Sequence, residues 1–144
     1  MKRLKRRKPD PMHAWDSARR PRVLVVDDDA AIVEVLSMRL DLMGLEPKTA
    51  SNGRQALERI KDLNPAAMIL DINMPQLDGF GVLAQLGPEG TRRLPTLVLT
   101  ARNQPEDVRR AIALGARDYL SKPFDQMKLV ARITRLMRIG ETTA

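Results

Sequence analysis

Three aspartates, a threonine, a serine and a lysine stand at the ends of apolar runs that lie far apart in the chain. Asp27 and Asp28 follow "VLVV" (23–26), Asp71 follows "AAMIL" (66–70), Thr100 ends "TLVLT" (96–100), and Ser121 ends "DYLS" (118–121) just before Lys122. An acid where a buried strand stops is poorly solvated and costly unless something neutralises it. If these ends share one edge, three carboxylates meet one ammonium. Two unit charges ~5 Å apart at an effective dielectric of ~20 repel by about 3 kcal/mol, so such a cluster calls for a cation. The chain has no cysteine and a single histidine, His13, in the N-terminal segment. The donors are therefore hard oxygens, which suit Mg²⁺. Disulfides and thiolate metal sites are excluded, and the set does not point to a zinc site or a histidine-dependent triad. A divalent cation together with Lys122 balances the three acids. With no histidine base, the chemistry open to the set is attack of a carboxylate on phosphorus. The metal and the lysine would stabilise charge on the transferring group.

These side chains need a scaffold that brings the run ends together, and the patterning supplies one. The run at 23–26 is a continuous β-branched and aliphatic stretch, as expected of a strand buried on both faces, and 96–100 reads as the fourth buried strand. "LEPKTA" (45–50) is a weaker strand whose Pro47 points to an edge. "AAMIL" and "DYLS" complete five strands. Between the first two, Ile32, Val33, Leu36, Leu40 and Met43 recur at helical spacing, with Asp29 as a candidate cap and Gly44 as the stop. Asn52 can start a second helix with Ala56, Leu57, Ile60 and Leu63 on one face. A short helix is expected over 79–86, with Asp78-Gly79 as turn chemistry before it and "GPEGTRRLP" (87–95) as a loop. "QPEDVRRAIALG" (104–115) has proline and acids at its start and glycine at its end, the signs of a helix. A last helix over 125–138 carries Leu129, Val130, Ile133, Leu136 and Met137 on one face. The alternation predicts an α/β fold, a five-stranded parallel sheet doubly wound as (βα)5, with its crevice at the carboxyl ends of the strands.

The 144 residues suit one core, and 43% hydrophobic with 30% charged residues is a soluble globular composition. No apolar run is long enough to span a membrane and no signal-peptide pattern follows the basic N-terminus, so a cytoplasmic location is expected. The net charge of +7 resides in residues 1–22, which hold nine basic and two acidic side chains; residues 23–144 are neutral. The run "MKRLKRRK" reads first as a solvated tail and second as a weak contact for nucleic acid or another acidic surface. "DPMHAWDSARR" (10–20) has an Asp-Pro helix start. As a short helix it would put Met12 and Trp15 on one face, able to pack on the domain.

"VLVVDDD", "LDINMPQLDG", "LTA" and "YLSKPF", in this order, resemble the receiver domain of two-component response regulators over residues 22–139. That leaves 1–21 as a basic tail and 140–144 as a C-terminal end or the start of a linker. The resemblance implies a flavodoxin- and receiver-like fold in which Asp71 accepts a phosphoryl group from a sensor histidine kinase or a phosphotransfer protein. Asp28, Asp71 and the backbone carbonyl of Asn73 would hold Mg²⁺, with Asp27 acting through water. Lys122 would contact the phosphoryl oxygens, and the Lys122–Pro123 bond would be cis. Thr100 and Tyr119 match the switch pair, whose hydroxyl turns to the phosphate while the ring swings inward. Such a protein is not an enzyme in the ordinary sense: it assists only its own phosphorylation and dephosphorylation.

No output domain follows Ala144, so the chain reads as a stand-alone receiver or the N-terminal part of a longer regulator. "KLVARITRLMR" resembles the last helix of receivers joined to winged-helix DNA-binding domains and favours the latter. Contact with DNA would then belong to the missing output domain. In that subfamily phosphorylated receivers pair through the fourth helix, fifth strand and fifth helix. Asp118 and Arg132 keep part of the charge pattern, whereas Arg117, Lys128 and Ile139 depart from it, so any phosphorylation-dependent homodimer is expected to be weakened or moved to another surface. Two other readings compete with this one. A pseudo-receiver acting by contacts alone would lack an acid or the lysine, and all are present. A haloacid-dehalogenase-like phosphohydrolase would need a D-x-D motif, which Asp71-Ile72-Asn73 does not match.

Overall fold

The computed structural model describes residues 20–101 and 104–142, with side chains through Arg138. The basic run at the N-terminus and the segment carrying Met12 and Trp15 lie outside the described residues. Strands and helices alternate throughout: β1 Arg22–Val26, α1 Ala30–Leu42, β2 Glu46–Ala50, α2 Gly53–Leu63, β3 Ala67–Asp71, α3 Gly79–Arg93, β4 Thr96–Thr100, α4 Pro105–Ala113, β5 Asp118–Ser121 and α5 Gln126–Thr142. All strand pairs are parallel, in the order β2-β1-β3-β4-β5. Pro47 sits in the edge strand β2, where a missing N–H costs least. The order reverses between β1 and β3, which opens a crevice at their carboxyl ends.

Alternation along the strands divides the core in two. Leu24, Val26, Met68, Leu70 and Val98 face α2, α3 and α4, against Ala56, Phe80, Leu83 and Ala111. Val23, Val25, Ile69, Leu97 and Leu99 face α1 and α5, against Leu36, Leu40, Leu129 and Ile133. Both faces being covered is why the strands are continuously apolar. Each large aliphatic side chain so buried contributes about 1.5–3 kcal/mol. Truncating one in the middle, such as Ile69→Ala, should cost about 2–5 kcal/mol because a cavity is left behind.

The helix starts follow from local chemistry. Asp29 accepts hydrogen bonds from the N–H groups of Ala31 and Ile32, and Asn52 accepts one from Gln55. Asp78 caps α3 by accepting from Gly81 N–H at 2.9 Å, so Asp78-Gly79 is a helix start and not only a turn. Helix α4 has no side-chain cap; Pro105 and the acids Glu106 and Asp107 open it instead.

Two expectations need correction. Residues 88–93 are not loop: α3 resumes after a break at Gly87, whose φ of 70° and ψ of 176° are non-helical. Glycine takes that left-handed φ without strain, Pro88 then serves as a first helical residue, and the Thr91 hydroxyl donates to the carbonyls of Gly87 and Pro88. The composition resembles a loop because these residues redirect one helix into another. Helix α5 also runs past 138, to Thr142. A lone glycine such as Gly140 costs about 1 kcal/mol in a helix and need not end it.

Candidate functional site

The crevice is built from three strand ends. At the end of β1, Asp27 is buried while Asp28 is exposed; at the end of β3, Asp71 is buried. One carboxylate oxygen from each of the three lies within 4.8 Å of the others. From the turn after β5, the Lys122 ammonium reaches back to Asp27 Oδ2 at 2.9 Å and Asp71 Oδ1 at 3.5 Å. Its backbone N–H donates to the Thr100 carbonyl at 2.8 Å, which ties the lysine turn to the end of β4. Thr100 is buried and is the ladder partner of Ser121. The Lys122–Pro123 peptide is cis.

Asp27 Oδ1 accepts the N–H of Asp29, so the side chain bridges the start of α1 and Lys122. Asp71 Oδ1 accepts the N–H of Asn73 at 3.2 Å. Burial first, and then the neighbouring Asp27 charge, push the Asp71 carboxyl up to about 6, against the opposing pull of Lys122 and the Asn73 N–H. Burial alone would lower the Lys122 ammonium. The hydrogen bond to Asp27 and the charges of Asp71 and Asp27 outweigh it, so the ammonium is held above its ordinary value. One lysine therefore does not relieve three acids. An all-oxygen cluster with excess negative charge fits a hard divalent cation such as Mg²⁺.

Five of the seven residues singled out in the sequence gather at this crevice: Asp27, Asp28, Asp71, Asn73 and Lys122. Thr100 joins them through the backbone bond to Lys122. Tyr119 does not enter. It is 38% exposed, with the Arg132 guanidinium 5.9 Å from its ring centroid.

Residues not singled out shape the loop that carries Asn73. Ile72 and Met74 are buried on either side of the exposed Asn73, pinning the loop to the core like a strand's alternation carried one step further. Gly79 N–H donates to the Ile72 carbonyl at 2.9 Å. A Cβ at Gly79 would stand 2.6 Å from the Asp71 carbonyl oxygen and 2.8 Å from Ile72 Cα, so only glycine lets α3 start this close behind Asp71. The apolar–polar–apolar order of Ile72, Asn73 and Met74 was a readable signal; the close approach at Gly79 was not.

Comparison with known proteins gives a consistent picture. A model of the response regulator receiver domain matches residues 23–134. The transcriptional regulatory protein PrrA of Mycobacterium tuberculosis is 44% identical over 124 residues, 86% of this chain and 53% of that protein. Response regulator MprA of Mycolicibacterium vanbaalenii is 44% identical over 117 residues, 81% of this chain and 50% of that protein. Among solved structures, the Vibrio cholerae chemotaxis protein CheY4 superposes with a TM-score of 0.75 at 32% identity, covering 81% of this chain and 98% of that one. The chain spans about half the length of the curated relatives it matches.

Proposed function

The chain belongs to the response regulator receiver domain family, and on that premise we propose that Asp71 is its phosphoacceptor. The observation that carries the reading is the set of three carboxylates sharing one lysine at the switch point of the sheet. A carboxylate oxygen of Asp71 attacks the phosphorus of a phosphohistidine on a sensor histidine kinase or phosphotransfer protein. The new O–P bond forms as the N–P bond breaks, and the imidazole leaves with the electron pair and takes up a proton. Attack needs the ionised carboxylate. With the carboxyl titrating at about 6, most of it is ionised at neutral pH. Lys122, already 3.5 Å from Asp71 Oδ1, turns to the phosphoryl oxygens and offsets their charge. Asp28, Asp71 and the Asn73 carbonyl would hold Mg²⁺, with Asp27 acting through water. When bound, the ion supplies charge neutralisation for the acids and the phosphoryl group.

The Thr100 hydroxyl then turns to the new phosphoryl group, and Tyr119 moves from its exposed position into the vacated space. The readout is conformational. The domain assists its own phosphorylation and later hydrolysis and turns over no other substrate.

The receiver spans 22–139 and works in the cytoplasm on an output domain or a downstream protein. DNA contact belongs to an output domain of the kind implied by the names of PrrA and other relatives, with at most a weak addition from the basic tail. A phosphorylation-dependent homodimer through α4, β5 and α5 is weakened by Arg117 and Lys128. The pairing of Asp118 with Arg132 and Arg135 inside one chain supports this, because those groups are already engaged.

The test is treatment with a small acyl phosphate, with and without Mg²⁺, followed by intact mass. A single phosphoryl gain that requires Mg²⁺ is expected. No gain would identify a pseudo-receiver, and steady turnover of a phosphate ester would identify a hydrolase.

A further inference from the structure

Helix α3 and the turn between α4 and β5 border a cavity at the amino edge of the sheet, opposite the crevice. Its volume is about 390 Å³, at the small end of the ~300–1,000 Å³ range of ligand pockets. Two glycines shape it. Gly87 bends α3, and a Cβ there would meet nothing within 4 Å, so the space beside the bend is open. Gly115 follows α4 with a φ of 114°, and a Cβ there would stand 2.2 Å from Thr91 Oγ1. The α4–β5 turn therefore closes on α3 at Thr91, while the bend at Gly87 leaves a gap next to it. The walls of the gap are apolar: Leu83 and Ala84 before the bend, Pro88 after it, Ala113 and Leu114 at the end of α4.

Two arginines, Arg92 and Arg117, complete the lining. They are not equivalent. Arg92 pairs with Glu89 one turn earlier on the same helix. Arg117 is fixed at its base, where its N–H donates to the Thr96 carbonyl at 2.9 Å. Among the described residues its guanidinium donates to the Arg92 carbonyl at 3.3 Å and pairs with no carboxylate. Most of its N–H donors are thus left for an anion. The carboxyl end of α4 faces the same space and opposes an anion by its partial charge. Its carbonyls at Arg110, Ala111 and Ile112 are already taken up by the N–H groups of Leu114, Ala116 and Gly115. A whole guanidinium in hydrogen-bond reach outweighs that partial charge.

We propose that this cavity binds a small amphiphilic carboxylic acid, with its apolar body between Leu83 and Leu114 and its carboxylate on Arg117. The apolar walls call for the body, and the unpaired guanidinium calls for the charge. The cavity has room for one small body, whereas a stable protein partner covers about 800 Å² on each side. The bound acid joins the second half of α3 to the α4–β5 turn and so fixes the end of α4. No residue of the phosphoryl crevice lines the cavity, so the inference is independent of the phosphoryl reading.

The probe is octanoate, titrated into the nitrogen-15-labelled full chain and followed by its amide NMR shifts. Saturable one-site binding is expected, with the shifts centred on Gly87, Leu114, Gly115 and Arg117. Acetate lacks the body and octanol lacks the charge, so each should bind at least about tenfold more weakly. Arg117→Gln should weaken octanoate by a similar factor. Arg109→Gln removes a charge from an exposed position of α4 outside the cavity and should change nothing. Ala84→Leu/Ala113→Leu fills the cavity and should abolish binding. Both alanines are exposed helix positions and leucine is a good helix former, so the variant keeps the fold; circular dichroism checks this. No saturable binding, shifts scattered over the surface, or octanoate binding that survives Arg117→Gln or the filled cavity would overturn the proposal. Acetate or octanol binding as tightly as octanoate would also overturn it, the first by showing an adventitious ion only and the second an apolar contact only.

Discussion

Two charged clusters border the same sheet and are balanced in opposite ways. At the crevice, among the described residues, three acids share one cation, Lys122, and two of the acids are buried. At the amino end of β5, one acid, Asp118, is shared by two cations: Arg132 bonds Oδ1 at 2.8 Å and Arg135 bonds Oδ2 at 2.5 Å. The second cluster is satisfied from within the chain, and its arginines remain partly in water. Among the described residues the first keeps an excess of negative charge, three carboxylates against the one ammonium of Lys122. Residue types alone do not separate structural from functional charge; the balance of signs in a buried place does.

The comparison breaks most visibly in phosphotransfer rate. Lys122→Ala should slow labelling by an acyl phosphate about 100-fold or more, the usual scale for removing a positioned charge stabiliser. Arg135→Ala should leave the rate within about twofold. Stopped-time intact mass distinguishes them, and equal losses would erase the contrast.

The next effect is on stability and depends on pH. The folded Asp71 carboxyl titrates at about 6, above an ordinary aspartate. The folded state therefore holds this proton more tightly than the unfolded chain. This contribution to stability is fully present below about pH 4 and is lost as pH rises through about 6. In metal-free buffer, Asp71→Asn should thus be more stable than wild type by about 2–3 kcal/mol at pH 7.5 and by almost nothing near pH 3.5. Urea unfolding across this range gives the answer. A constant difference would mean the crevice does not strain Asp71.

Asp118→Ala should have the opposite sign. Two arginines lose their shared acid, but both are solvent-accessible, so the cost is about 1–2 kcal/mol. Of similar size is the response to Mg²⁺. At ~10 times its Kd the ion adds about 1.4 kcal/mol to wild type. Calorimetry should show that gain in Asp118→Ala and its loss in Asp28→Ala.

Much of this was readable before any coordinates. Patterning predicted five strands, one of them an edge strand from Pro47, and the apolar faces of the helices; the central strands stood out because burial on both sides of a parallel sheet forces continuous apolar runs. The strand-end acids stood out because few sequences place acids there without cause. Three things were hidden. Residues 88–93 form helix because Gly87 redirects the chain, and a glycine beside a proline looks the same in a loop. Gly79 matters through a 2.6 Å approach to the Asp71 carbonyl that only tertiary packing creates. The uptake of Asp118 by Arg132 and Arg135 joins β5 to α5 across fourteen and seventeen residues, a pairing that spacing alone does not choose.

The most direct test sets the two clusters side by side. Wild type, Asp71→Asn and Asp118→Asn are incubated with Mg²⁺ and a small acyl phosphate, and their intact masses are read. Wild type and Asp118→Asn should each gain one phosphoryl group, and Asp71→Asn none. A phosphoryl gain in Asp71→Asn, or its loss in Asp118→Asn while that variant remains folded, would contradict the assignment of the crevice as the phosphoryl site.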